Sequence, residues 1–150
     1  MALQDDIMTA LKEAMKAKDT VALEALRAIK SAILLAQTEK GSGGGLSDVD
    51  EVKLLQKLVK QRRDSASIFT TQGRDDLAEP ELAQVAVIER FLPEQLSEED
   101  IEKVVVRVID STGASGMKDM GKVMGLVSKE LAGQADGKTI STIVKNKLAQ

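Results

Sequence analysis

Apolar residues recur along this chain at intervals of three and four, the mark of helices buried along one stripe. No segment alternates with the two-residue period of a strand. Leu3, Ile7, Leu11, Ala14 and Met15 form a first apolar face that ends near Asp19. Asp19-Thr20 is a candidate N-cap for a second helix carrying Leu23, Leu26, Ile29, Ile33 and Leu34. The stretch Gly41-Ser42-Gly43-Gly44-Gly45 is too flexible to hold a helix and predicts a loop tip. Ser47 with Asp50 three residues on resembles a capping box. It opens a long third helix with Val49, Val52, Leu55, Val59, Ala66 and Phe69 inward, and Gly73 ends it.

A fourth helix runs to about Leu92 on Leu82, Val85, Ile88 and Leu92. Pro80 either starts it or kinks it if it begins near Asp75; a start at Pro80 is preferred. Pro93 stops the chain, and Ser97-Glu98-Glu99-Asp100 restarts it in a second capping-box pattern. Helix five carries Ile101, Val104, Val105, Val108 and Ile109, and Thr112-Gly113-Ala114-Ser115 breaks it. Helix six shows Met117, Met120, Val123, Met124, Val127 and Leu131. After a loop from Ala132 to Gly137, helix seven carries Ile140, Ile143, Val144 and Leu148. The expectation is an all-α chain: an N-terminal four-helix domain, residues 1–94, followed by a small three-helix C-terminal domain, residues 95–150.

Composition narrows the chemistry. The 150 residues contain no His, Cys, Trp or Tyr. That excludes Ser-His-Asp and Cys-His catalysis, disulfides, and structural zinc or blue-copper sites, while carboxylate-bound Mg²⁺ or Ca²⁺ and Lys or carboxylate catalysis stay open. With only Phe69 and Phe91, the aromatic platforms on which RNA-binding sheets stack bases are missing as well. No transmembrane stretch or signal-peptide core is present, and a reducing cytoplasm is the expected compartment.

Charge is distributed unevenly. The net charge of -3 gives no global pull toward nucleic acid or anionic membrane, so any such partner needs a local patch. Lys53, Lys57 and Lys60 fall on one stripe of the third helix, opposite its apolar face. Such a stripe is ordinarily just a solvated face. Arg62 lies in the middle of that apolar face and calls for a carboxylate partner, with Asp75, Asp76 and Glu81 the candidates. Arg74 follows Gly73, where its cation can meet the carbonyl end of the third helix.

Helix six is more informative. Lys118, Gly121, Lys122, Gly125 and Lys129 share about a third of its circumference, opposite the Met/Val/Leu face. Each helical glycine costs roughly 1 kcal/mol relative to alanine, so a merely solvated face would be better served by alanine. Two occupants fit glycines flanked by lysines: a sugar-phosphate backbone held close to the helix, or a neighbouring helix packed through glycine. From Met117 to Gln150 six lysines face three carboxylates, a local +3 on an acidic protein. Lys138, in the first turn of helix seven, opposes the helix dipole, which an anion bound there would relieve. No carboxylate pair, phosphate loop or ligand cluster points to a catalytic residue, a metal or a cofactor.

Six strings in order carry a family resemblance: Leu26-Arg27-Ala28-Ile29-Lys30, Lys60-Gln61-Arg62-Arg63-Asp64-Ser65, Gly73-Arg74-Asp75-Asp76-Leu77-Ala78, Phe91-Leu92-Pro93-Glu94-Gln95-Leu96, Asp119-Met120-Gly121-Lys122-Val123-Met124 and Ala135-Asp136-Gly137. Together the chain resembles the free-standing YqeY-like proteins of the GatB/YqeY family. The resemblance implies an all-helical protein whose C-terminal part is similar to the tail of GatB, the polypeptide of the glutamine-dependent tRNA amidotransferase that helps hold tRNA. It carries with it a family label of carbon–nitrogen ligase with glutamine as amido-N-donor. The chain is too short for the catalytic cradle of GatB.

The functional expectation is an accessory protein without its own active site that binds tRNA or another structured RNA. Its proposed surface is Lys118, Gly121, Lys122, Gly125, Lys129 and Lys138, extended by Lys53, Lys57 and Lys60. Two other readings stand beside it: a component of a tRNA-dependent amidotransferase, partnered by the amidotransferase subunits, and a helical protein-interaction module. No membrane partner is expected.

Overall fold

The computed structural model describes residues 2–41 and 45–149. Most of the glycine-rich loop tip, Ser42 to Gly44, lies outside the described residues. Among the described residues every regular element is helical. These are α1 (Ala2–Ala17), α2 (Thr20–Lys40), α3 (Asp48–Thr71), α4 (Asp75–Glu89), α5 (Glu98–Thr112), a 3-10 turn (Met117–Asp119), α6 (Met120–Glu130) and α7 (Gly137–Leu148). None is long and apolar enough to cross a membrane. Contacts group the chain into two compact units, Met1–Leu92 and Pro93–Gln150.

In the first unit, α2 packs against α1, α3 and α4, and α3 against α4. The core is aliphatic: Leu3, Ile7, Leu11 and Ala14 of α1 meet Ala22, Ala25, Leu26, Ile29 and Ile33 of α2, with Leu55 and Val59 of α3. Asp19 caps α2 by accepting from the Ala22 N–H at 3.1 Å. Ser47 and Asp50 form the full reciprocal capping box at the start of α3. Periodicity overstates burial at the stripe edges. Met15, Leu34, Val49 and Leu82, expected inside, are exposed, because the contact lines run through neighbouring positions of each stripe.

The start of α4 differs from the expected one. The helix begins at Asp75, five residues before Pro80, so the proline lies inside it. The reason is the end of α3. Gly73 adopts φ 72°, its N–H donates to Thr70 O at 3.0 Å, and the Arg74 N–H donates to Phe69 O at 2.8 Å. This double closure turns the chain so that the Arg74 carbonyl can accept from the N–H groups of Leu77 and Ala78, both at 3.1 Å. The first turn of α4 is therefore made before Pro80 is reached, and the proline forgoes the bond its own N–H would have made and crowds the carbonyl four residues back. Burial repays that loss. Ala78, Val85, Val87 and Ile88 are all buried, and Val85 and Val87 lie on opposite sides of the helix, so α4 is enclosed on both.

Both arginines find partners other than those expected. Arg62 is half-buried and meets none of Asp75, Asp76 or Glu81. Its Nε donates to Gln84 Oε1 at 2.8 Å and its Nη1 to Leu58 O at 3.1 Å. Gln84 Nε2 in turn donates to Glu24 Oε2 at 3.1 Å, so the negative charge reaches the arginine through a neutral amide relay spanning α3, α4 and α2. The Arg74 side chain does not cap α3. It grips Asp76 with two bonds of 3.0 Å, which lowers the Asp76 carboxyl from its ordinary value and raises the guanidinium.

In the second unit α5, α6 and α7 pack pairwise around Ile101, Val105, Val108, Val123, Val127, Leu131, Ile140, Val144 and Leu148. The Gln95 amide donates to Gly133 O at 2.7 Å, and the Leu96 N–H to Gln134 O at 2.9 Å, which ties the entry segment to the α6–α7 turn. Lys147 pairs with Glu102 at 2.6 Å between α7 and α5, and Arg107 pairs with Glu130 between α5 and α6.

Ile88→Ala, at a fully buried site, is expected to lower unfolding free energy by about 2–5 kcal/mol, and Met15→Ala, on the surface, by less than about 0.5 kcal/mol, in urea titrations. A pH prediction follows from Asp50. The Lys40 ammonium that donates to it, followed by Ser47, holds its carboxyl below the ordinary value. A depressed folded value stabilises above the unfolded pKa of about 4, and the effect disappears as pH falls through the folded value. The melting-temperature deficit of Asp50→Asn should therefore be present at neutral pH and close below about pH 4.

Candidate nucleic-acid interface

The helix-six surface begins with the way α5 ends. Gly113 takes a left-handed conformation, φ 67°, and its N–H donates to Ile109 O at 3.0 Å. The chain then turns through Gly116 into the 3-10 turn, held where Asp119 Oδ2 accepts from the Ser115 N–H at 2.9 Å. α6 follows with Val123 and Val127 fully buried and Met120 and Met124 half-buried beside them. Met117, expected on that core face, is 48% exposed. It sits in the 3-10 turn, which has three residues per turn, so α-helical angles do not extend back to it.

On the outer arc of α6, Gly121, Lys122, Gly125 and Lys129 are all exposed. Lys118 is exposed too, but it belongs to the preceding turn and not to the helix. A methyl group added at Gly121 or Gly125 would meet nothing within 4 Å. No described helix of this chain therefore packs through these glycines. The bare strip of helix backbone faces outward, bordered by lysines and by the exposed Leu126.

Lys118, Lys122 and Lys129 make no ion pair with a described residue. The nearest carboxylates in sequence are engaged elsewhere, Glu130 with Arg107 and Asp119 with the Ser115 N–H. The positive charge of the arc is thus left uncompensated. Sequence reasoning missed Arg107 and Leu126. Leu126 shares the helical spacing of Lys122, four residues on, which was the available signal.

Lys138 has different surroundings. It lies in the first turn of α7, whose N-cap is Asp136. That carboxylate accepts from the Thr139 N–H at 2.6 Å and from the Thr139 hydroxyl at 3.0 Å. The negative charge expected from a bound anion is thus supplied by the chain itself. Lys138 also lines a groove of about 470 Å³ between α5 and α7 that contains Glu98, Glu102 and Lys147, a mixed-charge setting. Lys53, Lys57 and Lys60 are exposed on α3, in the first unit, and Lys60 is paired with Asp64 at 2.7 Å. Of the expected surface, Lys122 and Lys129 share one face of α6 with the two glycines, and Lys118 is exposed in the turn that precedes it.

Comparison with known proteins decides the family. The model of the family described as Yqey-like protein matches residues 4–148. The chain belongs to the YqeY-like family. This YqeY-like chain is similar to fungal proteins named "Altered inheritance of mitochondria protein 41, mitochondrial". With the protein from Clavispora lusitaniae it shares 32% identity, over 87% of this chain and 77% of the relative. The corresponding figures are 32%, 83% and 68% for Pyrenophora tritici-repentis, and 30%, 88% and 69% for Saccharomyces cerevisiae. These names overturn the cytoplasmic expectation, since the relatives are named as mitochondrial. A chain without cysteine is compatible with more than one reducing compartment, so composition had no power to separate them.

Because Gly125 is mid-helix and its surroundings are open, Gly125→Ala should stabilise this YqeY-like chain by about 0.5–1 kcal/mol in thermal or urea unfolding.

Proposed function

We propose that this YqeY-like chain is a non-catalytic accessory protein that binds tRNA or another structured RNA through its C-terminal unit. Residues 1–94 and 95–150 act in this reading as two domains, the second similar to the tail of GatB. The observation that carries it is the outer arc of α6, where open glycines at 121 and 125 lie beside Lys122 and Lys129, which make no ion pair with a described residue, with Lys118 exposed in the preceding turn. A phosphate-bearing backbone can come close to a helix there because no side chain intervenes, and the lysines neutralise it. Phe69 and Phe91 are both half-buried, which leaves no exposed aromatic for stacking on bases, so contacts to backbone and shape dominate. Lys138 and the α3 lysines are secondary in this reading, because carboxylates stand near Lys138 and Lys60.

Filter binding to total tRNA at low and moderate salt tests the proposal. Affinity is expected to fall steeply with salt, and Lys118→Glu with Lys122→Glu should remove most of it. Gly125→Ala should weaken binding while raising stability, a combination that generic electrostatic attraction does not produce. Absence of binding at low salt, or indifference to the lysine reversals, overturns the reading.

A further inference from the structure

Arg27 and Lys30 of α2 belong to one of the strings that carry the family resemblance, and both are exposed without an ion pair to a described residue. Leu34, one turn beyond Lys30, is 52% exposed, and Met8 of α1 is 43% exposed. These features converge on one place. A groove of about 240 Å³ between α1 and α2 is lined by Gln4, Ile7, Met8, Lys30, Ile33 and Leu34.

The groove is apolar at its base, where Ile7 and Ile33 are buried, and its walls are the half-exposed Met8 and Leu34. Lys30 stands among them, and Arg27 lies three residues earlier on the same face of α2. The full α2 stripe is Leu23, Arg27, Lys30 and Leu34, at i, i+4, i+7 and i+11. It runs beside the core stripe of Ala22, Ala25, Leu26, Ile29 and Ile33, which already accounts for the packing of α2. Leu23 still packs against the core, but the exposed Leu34 and the two cations, which make no ion pair with a described residue, are surplus to the fold.

We propose that this groove docks an acidic amphipathic helix from a partner protein. Its volume suits one or two large apolar anchors spaced a helical turn apart, and Met8 can adapt its shape to them. Carboxylates flanking such anchors would meet Arg27 and Lys30, which make no ion pair with a described residue. A membrane surface fits less well: the site is concave, and the chain has no Trp or Tyr to seat at a lipid interface. An RNA backbone would leave the apolar walls uncovered. The proposal is independent of the α6 surface, with which it shares no residue.

The test is to pan a display library of randomised single-helix peptides against the full chain, then to measure the enriched sequences as synthetic peptides. Enriched peptides should pair two large apolar residues at i and i+3 or i+4 with an excess of Asp and Glu. Their affinity should drop roughly tenfold or more on Leu34→Glu and on Lys30→Glu, and stay unchanged on Lys103→Glu, a surface control in the second unit. Binding should also shift the methyl NMR signal of Met8. Should Leu34→Glu fail the circular-dichroism check of folding, Arg27→Glu and Lys30→Glu decide the matter. No enrichment, enriched peptides without acidic excess, undiminished binding to the variants, or a silent Met8 signal overturns the proposal. So does binding of anionic vesicles or of tRNA that is lost in these same variants.

Discussion

Both units are held together by burial of small aliphatic side chains, and most other features follow from that constraint. With two phenylalanines and no larger aromatic, the cores are built from Leu, Ile, Val and Ala. Ala14, Ala22 and Ala25 sit among the Leu and Ile side chains where α1 and α2 meet. Side-chain caps at the helix starts help several of these stripes to keep their register. Asp19, Ser47, Ser97 and Asp136 each supply a side-chain cap at a helix start. Larger side chains left off the contact lines, such as Met8, Met15, Leu34 and Leu126, remain at the surface.

Polar groups between helices follow the same economy. The Arg62–Gln84–Glu24 relay joins three helices without burying a bare ion pair, because Gln84 both accepts from the guanidinium and donates to the carboxylate. A direct Arg–Glu pair at the same depth would have carried a larger desolvation penalty. The Arg63–Glu89 and Arg107–Glu130 pairs stay near solvent and add orientation more than stability.

The proposed functional surfaces are places where local rules of stability are set aside. Glycines at 121 and 125 weaken α6 on the side where nothing in the described chain covers it. Lys122 and Lys129 crowd like charge onto the same side. Arg27 and Lys30 flank an apolar groove that the core does not need. In α6 the fold would be more stable with alanine, and the ligands proposed for the two surfaces, an RNA backbone and an acidic helix, would supply contacts that these residues lack.

The sequence by itself determined the helical class, the approximate extent of the helices and the Lys/Gly arc of α6, because helical period and residue type are local properties. It also contained the true starting signals of α2, α3 and α5 in Asp19, Ser47 and Ser97. Only the tertiary structure decided which part of each apolar stripe is covered. Periodicity gives an angle around a helix, but neighbouring helices choose the contact line, and that choice exposed Met15, Leu34, Val49 and Leu82. It also decided that α4 begins before Pro80, since the α3 terminus places Arg74 where its carbonyl can start a helix. The partner of Arg62 lies 22 residues away, and the relay ends on Glu24, 60 residues from Gln84. Separations of that kind leave no periodic trace in a sequence, because only folding brings the groups together.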